Sequence, residues 1–149
     1  MVVQFGRSSD IDGWMKLVEE IRWNFPGLET EKSLNEHRQT VLRFISKGQA
    51  LCAKDDYEKI IGVILFSRGH NMICCLGVSP AHRRCGVASR LLTMALEQLD
   101  RTKIICVSTF REGDEKATAP RALYKKFGFV EDELIEEFDY PNQRFVLRP

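Results

Sequence analysis

Apolar residues recur along the chain with two periods, and each switch between them marks an element. Val2 to Phe5 predicts a short strand, and Ser8, Ser9 or Asp10 can cap the helix that follows. Ile11, Trp14, Val18, Ile21 and Phe25 then return at helical spacing until Pro26-Gly27 interrupts them. Leu34, Val41, Leu42 and Ile45 mark one side of a second helix, from about Glu31 to Lys47, with Gly48 as its stop. From Ala50 the pattern turns to strands. Ala50 to Lys54, Lys59 to Phe66 and Met72 to Val78 are separated by the polar turns 55–58 and 67–71 and predict an antiparallel meander. Met72 to Val78 is nearly all apolar, as expected of a strand buried on both faces.

Helical spacing then resumes. Val87, Leu91, Ala95 and Leu99 form one row and Ala88, Leu92 and Leu96 another, which predicts a helix from about Arg84 to Asp100. The strand Lys103 to Ser108 follows, and a strand–helix–strand unit of this kind calls for a parallel pair with a right-handed crossover. A long polar loop runs from Thr109 to Ala119. Pro120 suits the first turn of a short helix through Phe127, which Gly128 ends. Phe129 to Tyr140 and Arg144 to Leu147 predict a closing hairpin linked by Pro141, Asn142 and Gln143. The fold class is α/β (α+β) with a mixed sheet, in a single domain over residues 1–149, without repeats or linkers.

Composition narrows the function rather than naming it. A chain of 149 residues suits one domain with a sizeable core. A net charge of +1 gives no reason to expect nucleic acid or an anionic membrane as partner. No apolar run approaches the ~20 residues that span a bilayer, and the N-terminus lacks the pattern of a signal peptide. The five cysteines and three histidines have no metal-ligand spacing, so no metal is expected, and the thiols point to a reducing, cytoplasmic location. Cys52, Cys74, Cys75 and Cys106 lie in apolar strands and are expected as small core residues. His82 is expected at the surface.

The junction between Met72–Val78 and the following helix carries the candidate chemistry. A helix start offers unpaired N–H groups and the positive end of the macrodipole, which together bind phosphate. Gly86 and Ala88 let a diphosphate approach the backbone, and Arg83 and Arg84 add charge. Cys85 sits in the same loop, where a thiol pKa can fall.

Arg83-x-x-Gly86-x-Ala88, after Val78-Ser79-Pro80 and before Leu91-Leu92, resembles the acetyl-coenzyme A motif Gln/Arg-x-x-Gly-x-Gly/Ala of the GCN5-related N-acetyltransferases (GNAT). Downstream, Leu123-Tyr124-Lys-Lys-Phe-Gly128-Phe129 resembles that family's Leu-Tyr-x-x-x-Gly-Phe segment, and the predicted order of elements is similar along nearly the whole chain. The resemblance implies a mixed, mostly antiparallel sheet that splays between Met72–Val78 and Lys103–Ser108, with pantetheine threaded into the gap. It implies acetyl transfer to a primary amine by direct attack in a ternary complex. Arg83, Arg84, Cys85, Gly86, Val87, Ala88 and Ser89 would hold the diphosphate, and Leu76 and Val78 would offer backbone groups to pantetheine. Tyr124 matches the family's general acid. Ala117 stands where many members have an Asn that bonds the pantetheine arm, so Thr118 or the backbone would substitute. Many members also carry a base in the central strand, but Met72 to Val78 has no carboxylate. Glu112, Asp114, Glu29, Glu20 and a water chain stay open as alternatives. The acceptor site would be walled by Trp23, Phe25 and Tyr140, with Glu29 facing a cationic amine. The acceptor expected is a small-molecule amine, with a protein amine second. A non-catalytic acyl-CoA sensor or scaffold is the alternative from another class, and homodimerisation is left open.

Overall fold

Ile60 to Phe66 are buried without a break, and the sheet is built outward from them. The computed structural model describes residues 1–149. Its strands are β1 (Val2–Phe5), β2 (Ala50–Lys54), β3 (Ile60–Ser67), β4 (Met72–Val78), β5 (Ile105–Phe110), β6 (Val130–Glu137) and β7 (Tyr140–Leu147). Its helices are α1 (Ile11–Ile21), α2 (Glu31–Ser46), α3 (Val87–Glu97) and α4 (Thr118–Lys126). The seven strands form one sheet in the order β1-β2-β3-β4-β5-β7-β6, antiparallel throughout except for the β4–β5 pair.

Alternate strand residues face opposite sides of the sheet, and each side has its own core. On one side α3 and α4 bury Leu91, Leu92, Ala95 and Tyr124 against Phe66, Ile73, Ile105 and Phe145. On the other, α1 and α2 bury Trp14, Leu17, Val18, Ile21, Leu34 and Val41 against Cys52, Val63 and Leu65. Thr30 caps α2: its Oγ1 accepts from the Ser33 N–H at 3.0 Å, and its own N–H donates to Ser33 Oγ at 3.1 Å. Asp10 precedes α1 without capping it. Its carboxylate instead accepts from the Arg7 N–H and from Lys54 Nζ, both at 2.8 Å.

Several boundaries differ from the sequence pattern, each for a local reason. α3 begins at Val87 rather than Arg84, because Arg84 (φ +63°) and Gly86 (φ +79°) are left-handed and cannot continue a helix. β5 begins at Ile105 rather than Lys103. Asn71 holds the preceding turn, its Nδ2 donating to the Asp100 and Ile104 carbonyls and its Oδ1 accepting from the Asp100 N–H. The closing hairpin turns at Phe138-Asp139, both left-handed (φ +53° and +58°), as a two-residue turn between twisted strands requires. Pro141, Asn142 and Gln143, predicted to be the turn, lie within β7.

β4 departs furthest from expectation. It pairs with β5 only at Met72↔Cys106 and Ile73↔Val107. Its register against β3 slips between Leu65↔Cys75 and Phe66↔Ile73, a bulge at Cys74. Only Ile73 and Gly77 are buried in it. Of the four cysteines expected in the core, only Cys52 is fully buried; Cys75 and Cys106 are half-buried and Cys74 is exposed.

Candidate active site

The loop from Arg83 to Gly86 and the first turn of α3 present a run of unpaired backbone donors. The first backbone hydrogen bond of the helix runs from the Arg90 N–H to the Gly86 carbonyl. No side chain caps α3, and the N–H groups of residues 84–89 have no acceptor within the chain. Gly86 permits this shape through its positive φ, and a Cβ placed on it would meet nothing within 4 Å, so the space above it is open. Arg83, Arg84 and Cys85 are exposed. The Cys85 thiol donates weakly to the Arg83 carbonyl at 3.5 Å. Val87 faces the core and offers only its amide, while Ala88 and Ser89 are half-buried beside it. His82, expected at the surface, is half-buried, and its Nδ1 is enclosed without a partner.

The splay opens beside this loop. The Ser79 N–H bonds the Ile61 carbonyl at 2.8 Å, so the odd-numbered residues of this part of β4 turn their peptide groups toward β3. Those of Leu76 and Val78 turn toward β5, where pairing has ended. Tyr124 packs edge-on against Phe129 and Phe145, with centroids 5.7 and 6.3 Å away. Burial pushes its phenol above the usual range, and the nearby Cys75 adds to the effect. Burial also pushes the Cys75 thiol up to about 12, so it is not a thiolate nucleophile at neutral pH. Tyr124 is in no hydrogen bond of the chain, and His82 Nδ1 is the one enclosed side-chain polar atom without a partner. The Tyr124 hydroxyl is therefore not completely enclosed, although the residue is only 5% exposed.

Three loops meet on the α1/α2 side of the gap. Phe25 packs against Gly77 of β4, where an added Cβ would lie 3.4 Å from the Phe25 ring and 2.4 Å from Ile21 Cδ1. A Cβ added to Gly27 would lie 3.1 Å from the Phe138 ring at the hairpin turn, so the α1–α2 loop lies close beside β6–β7. Trp23 is 59% exposed and stands beneath the Arg83 guanidinium, 5.9 Å from the ring centroid, so it lies at the surface rather than in the core. Glu29 Oε1 accepts from the Gly27 N–H at 3.0 Å, a bond that lowers its carboxyl pKa. The Tyr140 hydroxyl donates to Asp114 Oδ2 at 2.6 Å, which lowers the Asp114 carboxyl and raises the Tyr140 phenol. Glu112 is exposed and makes no hydrogen bond. With Asp114, Thr118 and Arg121 it lines a depression of ≈ 510 Å³ at the start of α4.

Sequence patterning missed two residues here. Arg121 is buried, donates from Nη1 to the Phe110 carbonyl and Gln143 Oε1, pairs with Glu131 at 2.8 Å and covers the Phe145 ring. Its spacing of three from Tyr124 places both on the inner face of α4 and was its only signal. Lys116, in the irregular loop before α4, had none.

A family model described as "Acetyltransferase (GNAT) domain" matches residues 46–131. Among solved structures, a GNAT-family acetyltransferase from Bacillus cereus superposes with a TM-score of 0.76 at 22% identity, covering 99% of this chain and 96% of that one. An N-acetyltransferase from Staphylococcus aureus gives 0.77 at 18%, over 99% and 100%. The PaiA N-acetyltransferase from Thermoplasma acidophilum, described in complex with coenzyme A, gives 0.74 at 15%, over 99% and 98%. No curated protein matches the chain. The family match spans more than half of the sequence: the chain belongs to the GNAT acetyltransferases. The acetyl donor of that family is acetyl-coenzyme A.

Proposed function

We propose that the protein transfers an acetyl group from acetyl-coenzyme A to a primary amine of a small molecule, by direct attack in a ternary complex. The observation that carries this reading is the run of unpartnered N–H groups over residues 84–89. So many unsatisfied donors in one loop fit a diphosphate better than a plain helix start, and the Arg83 and Arg84 guanidiniums beside them supply charge. Cys85, Gly86, Val87, Ala88 and Ser89 bind through their amides. The inward peptide groups of Leu76 and Val78 hold the pantetheine arm, with Thr118 at the start of α4 standing in where Ala117 replaces the family's Asn.

Acetyl-coenzyme A, when bound, supplies the thioester whose acetyl group moves to the amine. The residues of the chain do the rest. A backbone N–H of β4 turned into the gap offers an oxyanion donor, a contribution worth ~3 kcal/mol in enzymes that use one. Tyr124 keeps its proton at neutral pH, because burial raises the phenol, and delivers it to the departing sulfur. Asp114 is engaged by Tyr140 and by the Lys116 N–H. Glu112, exposed and free of hydrogen bonds like its neighbour Glu115, is the carboxylate of this loop that we assign to take the amine's proton through water. Trp23, Phe25, Glu29 and Tyr140 border the acceptor.

The test is a thiol-release assay with acetyl-coenzyme A and a panel of primary amines. Release that depends on an amine, with the acetylated amine found by mass spectrometry, is expected. Release at the hydrolytic rate with every amine would overturn the reading.

A further inference from the structure

The charges around the three loops are unequal. The Arg111 guanidinium is taken up by the Asn142 and Ile135 carbonyls, each at 3.0 Å, and Arg144 is paired with Glu133 at 2.5 Å. Glu29 and Asp114 both stay ionised through hydrogen bonds from the backbone and from Tyr140. Lys116 lies near enough for its charge to favour ionisation of both carboxylates slightly.

Lys116 is held in an unusual way for a lysine among acids. No carboxylate lies within salt-bridge distance of its Nζ, and it makes no side-chain hydrogen bond. The ammonium lies 5.5 Å from the Tyr140 ring centroid and 5.9 Å from that of Phe110. These rings meet edge to face, 5.6 Å apart at 77°. Tyr140 is fixed by its bond to Asp114 Oδ2, and Asp114 Oδ1 accepts the Lys116 N–H at 2.9 Å. Two ring faces, one of them fixed by the Asp114 carboxylate, make a receptor for an alkylammonium ion. Its present occupant is a half-exposed side chain on a flexible stem, whose ammonium has no hydrogen bond or salt bridge and is cheap to displace.

We propose that Phe110, Tyr140 and Asp114 form a recognition site for an alkylammonium group of the acceptor, and that Lys116 occupies this site in the free chain and is displaced when the acceptor binds. The proposal rests on the acetyltransferase reading above and specifies its acceptor. The amine that attacks must be neutral, whereas the group in the cage must stay charged. The acceptor is therefore an aliphatic amine with a second cationic centre, one end held by the rings and the other acetylated. Lys116 acts as an internal competitor that sets how much acceptor is needed.

The test titrates tetramethylammonium, which cannot be acetylated, into the cofactor-free full chain and follows the Tyr140 ring resonances. Lys116→Met empties the cage and is expected to tighten binding about fivefold or more, and Tyr140→Leu in the Lys116→Met background is expected to abolish it. Lys116→Gln, which keeps a polar side chain, is expected to behave like Lys116→Met. Unchanged or weaker binding in both lysine variants would overturn the proposal. A parallel thiol-release assay compares 1,4-diaminobutane with butylamine, and Lys116→Met is expected to lower KM for the diamine alone. An equal change for both amines would count against the cage. Tightened tetramethylammonium binding with no thiol release from any amine would uphold the cage and overturn only the acetyltransferase reading.

Discussion

Tyr124 combines two properties that rarely coexist: a ring packed among Phe129 and Phe145, and a hydroxyl that no residue of the chain engages. A core tyrosine normally finds a partner for its O–H, since an unmet buried donor costs ~1–3 kcal/mol. A tyrosine kept to give a proton to a transient group needs that position free. Tyr124→Phe is therefore expected to lower kcat by about 10²-fold or more while leaving the Kd for coenzyme A unchanged, as steady-state kinetics and calorimetry would show. The pH dependence follows from the direction of the shift. In the proposed role Tyr124 acts in its protonated form and its pKa is raised, so the acid would be present throughout the neutral range and lost only as pH rises above the ordinary phenol value of ~10. A kcat that falls between neutrality and that value would assign the acid to another group. Tyr124 was legible in the sequence through the Leu-Tyr-x-x-x-Gly-Phe segment. The cage of Phe110, Asp114, Lys116 and Tyr140 was not, because its members come from an irregular loop and two strand ends that no periodicity relates.

At the scale of elements, the meeting of β4 with α1 decides the shape of the gap. Gly77 leaves room for Ile21 and Phe25 to lie against the strand, and a Cβ there would come within 2.4 Å of Ile21 Cδ1. Gly77→Ala is expected to lower stability by about 1–3 kcal/mol through overpacking. It should also weaken acceptor binding, because Phe25 must shift. Thermal unfolding and KM for the amine check the two effects, and an unaltered melting temperature would show that α1 does not press on β4. Elements with strong internal patterning were read correctly: β2, β3 and α2 fall within one or two residues of their predicted bounds. The errors lie where tertiary contacts overrule local pattern. The apolar run of β4 implied two covered faces, yet the bulge at Cys74 and the loss of β5 leave much of the strand open. The start of α3 was misjudged because two left-handed residues, one of them an arginine, precede it. The hairpin turn was assigned to Pro141, whereas Phe138 and Asp139 make it without a glycine.

Across the whole molecule, one sheet separates two cores, and β3 lends residues to both: Ile61, Ile64 and Phe66 to one, Ile60, Val63 and Leu65 to the other. Loss of either core would strip one face of the same strand. We propose on this ground that the chain unfolds as a single domain; two separated calorimetric transitions would contradict it. No helix is long and apolar enough to cross a membrane. A net charge of +1 leaves ligand recognition to local fields: positive at Arg83, Arg84 and the start of α3, negative around Glu29 and Asp114. On the proposed reading, an anionic donor and a cationic acceptor enter at different places. The splay that makes this gap was implied by family resemblance before it was visible in the β4–β5 register, because the departure of one strand from another leaves no mark on the pattern of either.

The most direct measurement is calorimetric titration of the protein with acetyl-coenzyme A, repeated on Gly86→Asp, which places a carboxylate where the diphosphate is expected. Saturable binding of one acetyl-coenzyme A per chain, weakened about 10-fold or more in the variant while its fold is retained by circular dichroism, is the result predicted. Absence of binding to the unaltered protein, or equal binding to both, would contradict the assignment of the Arg83–Ser89 loop as the seat of the donor.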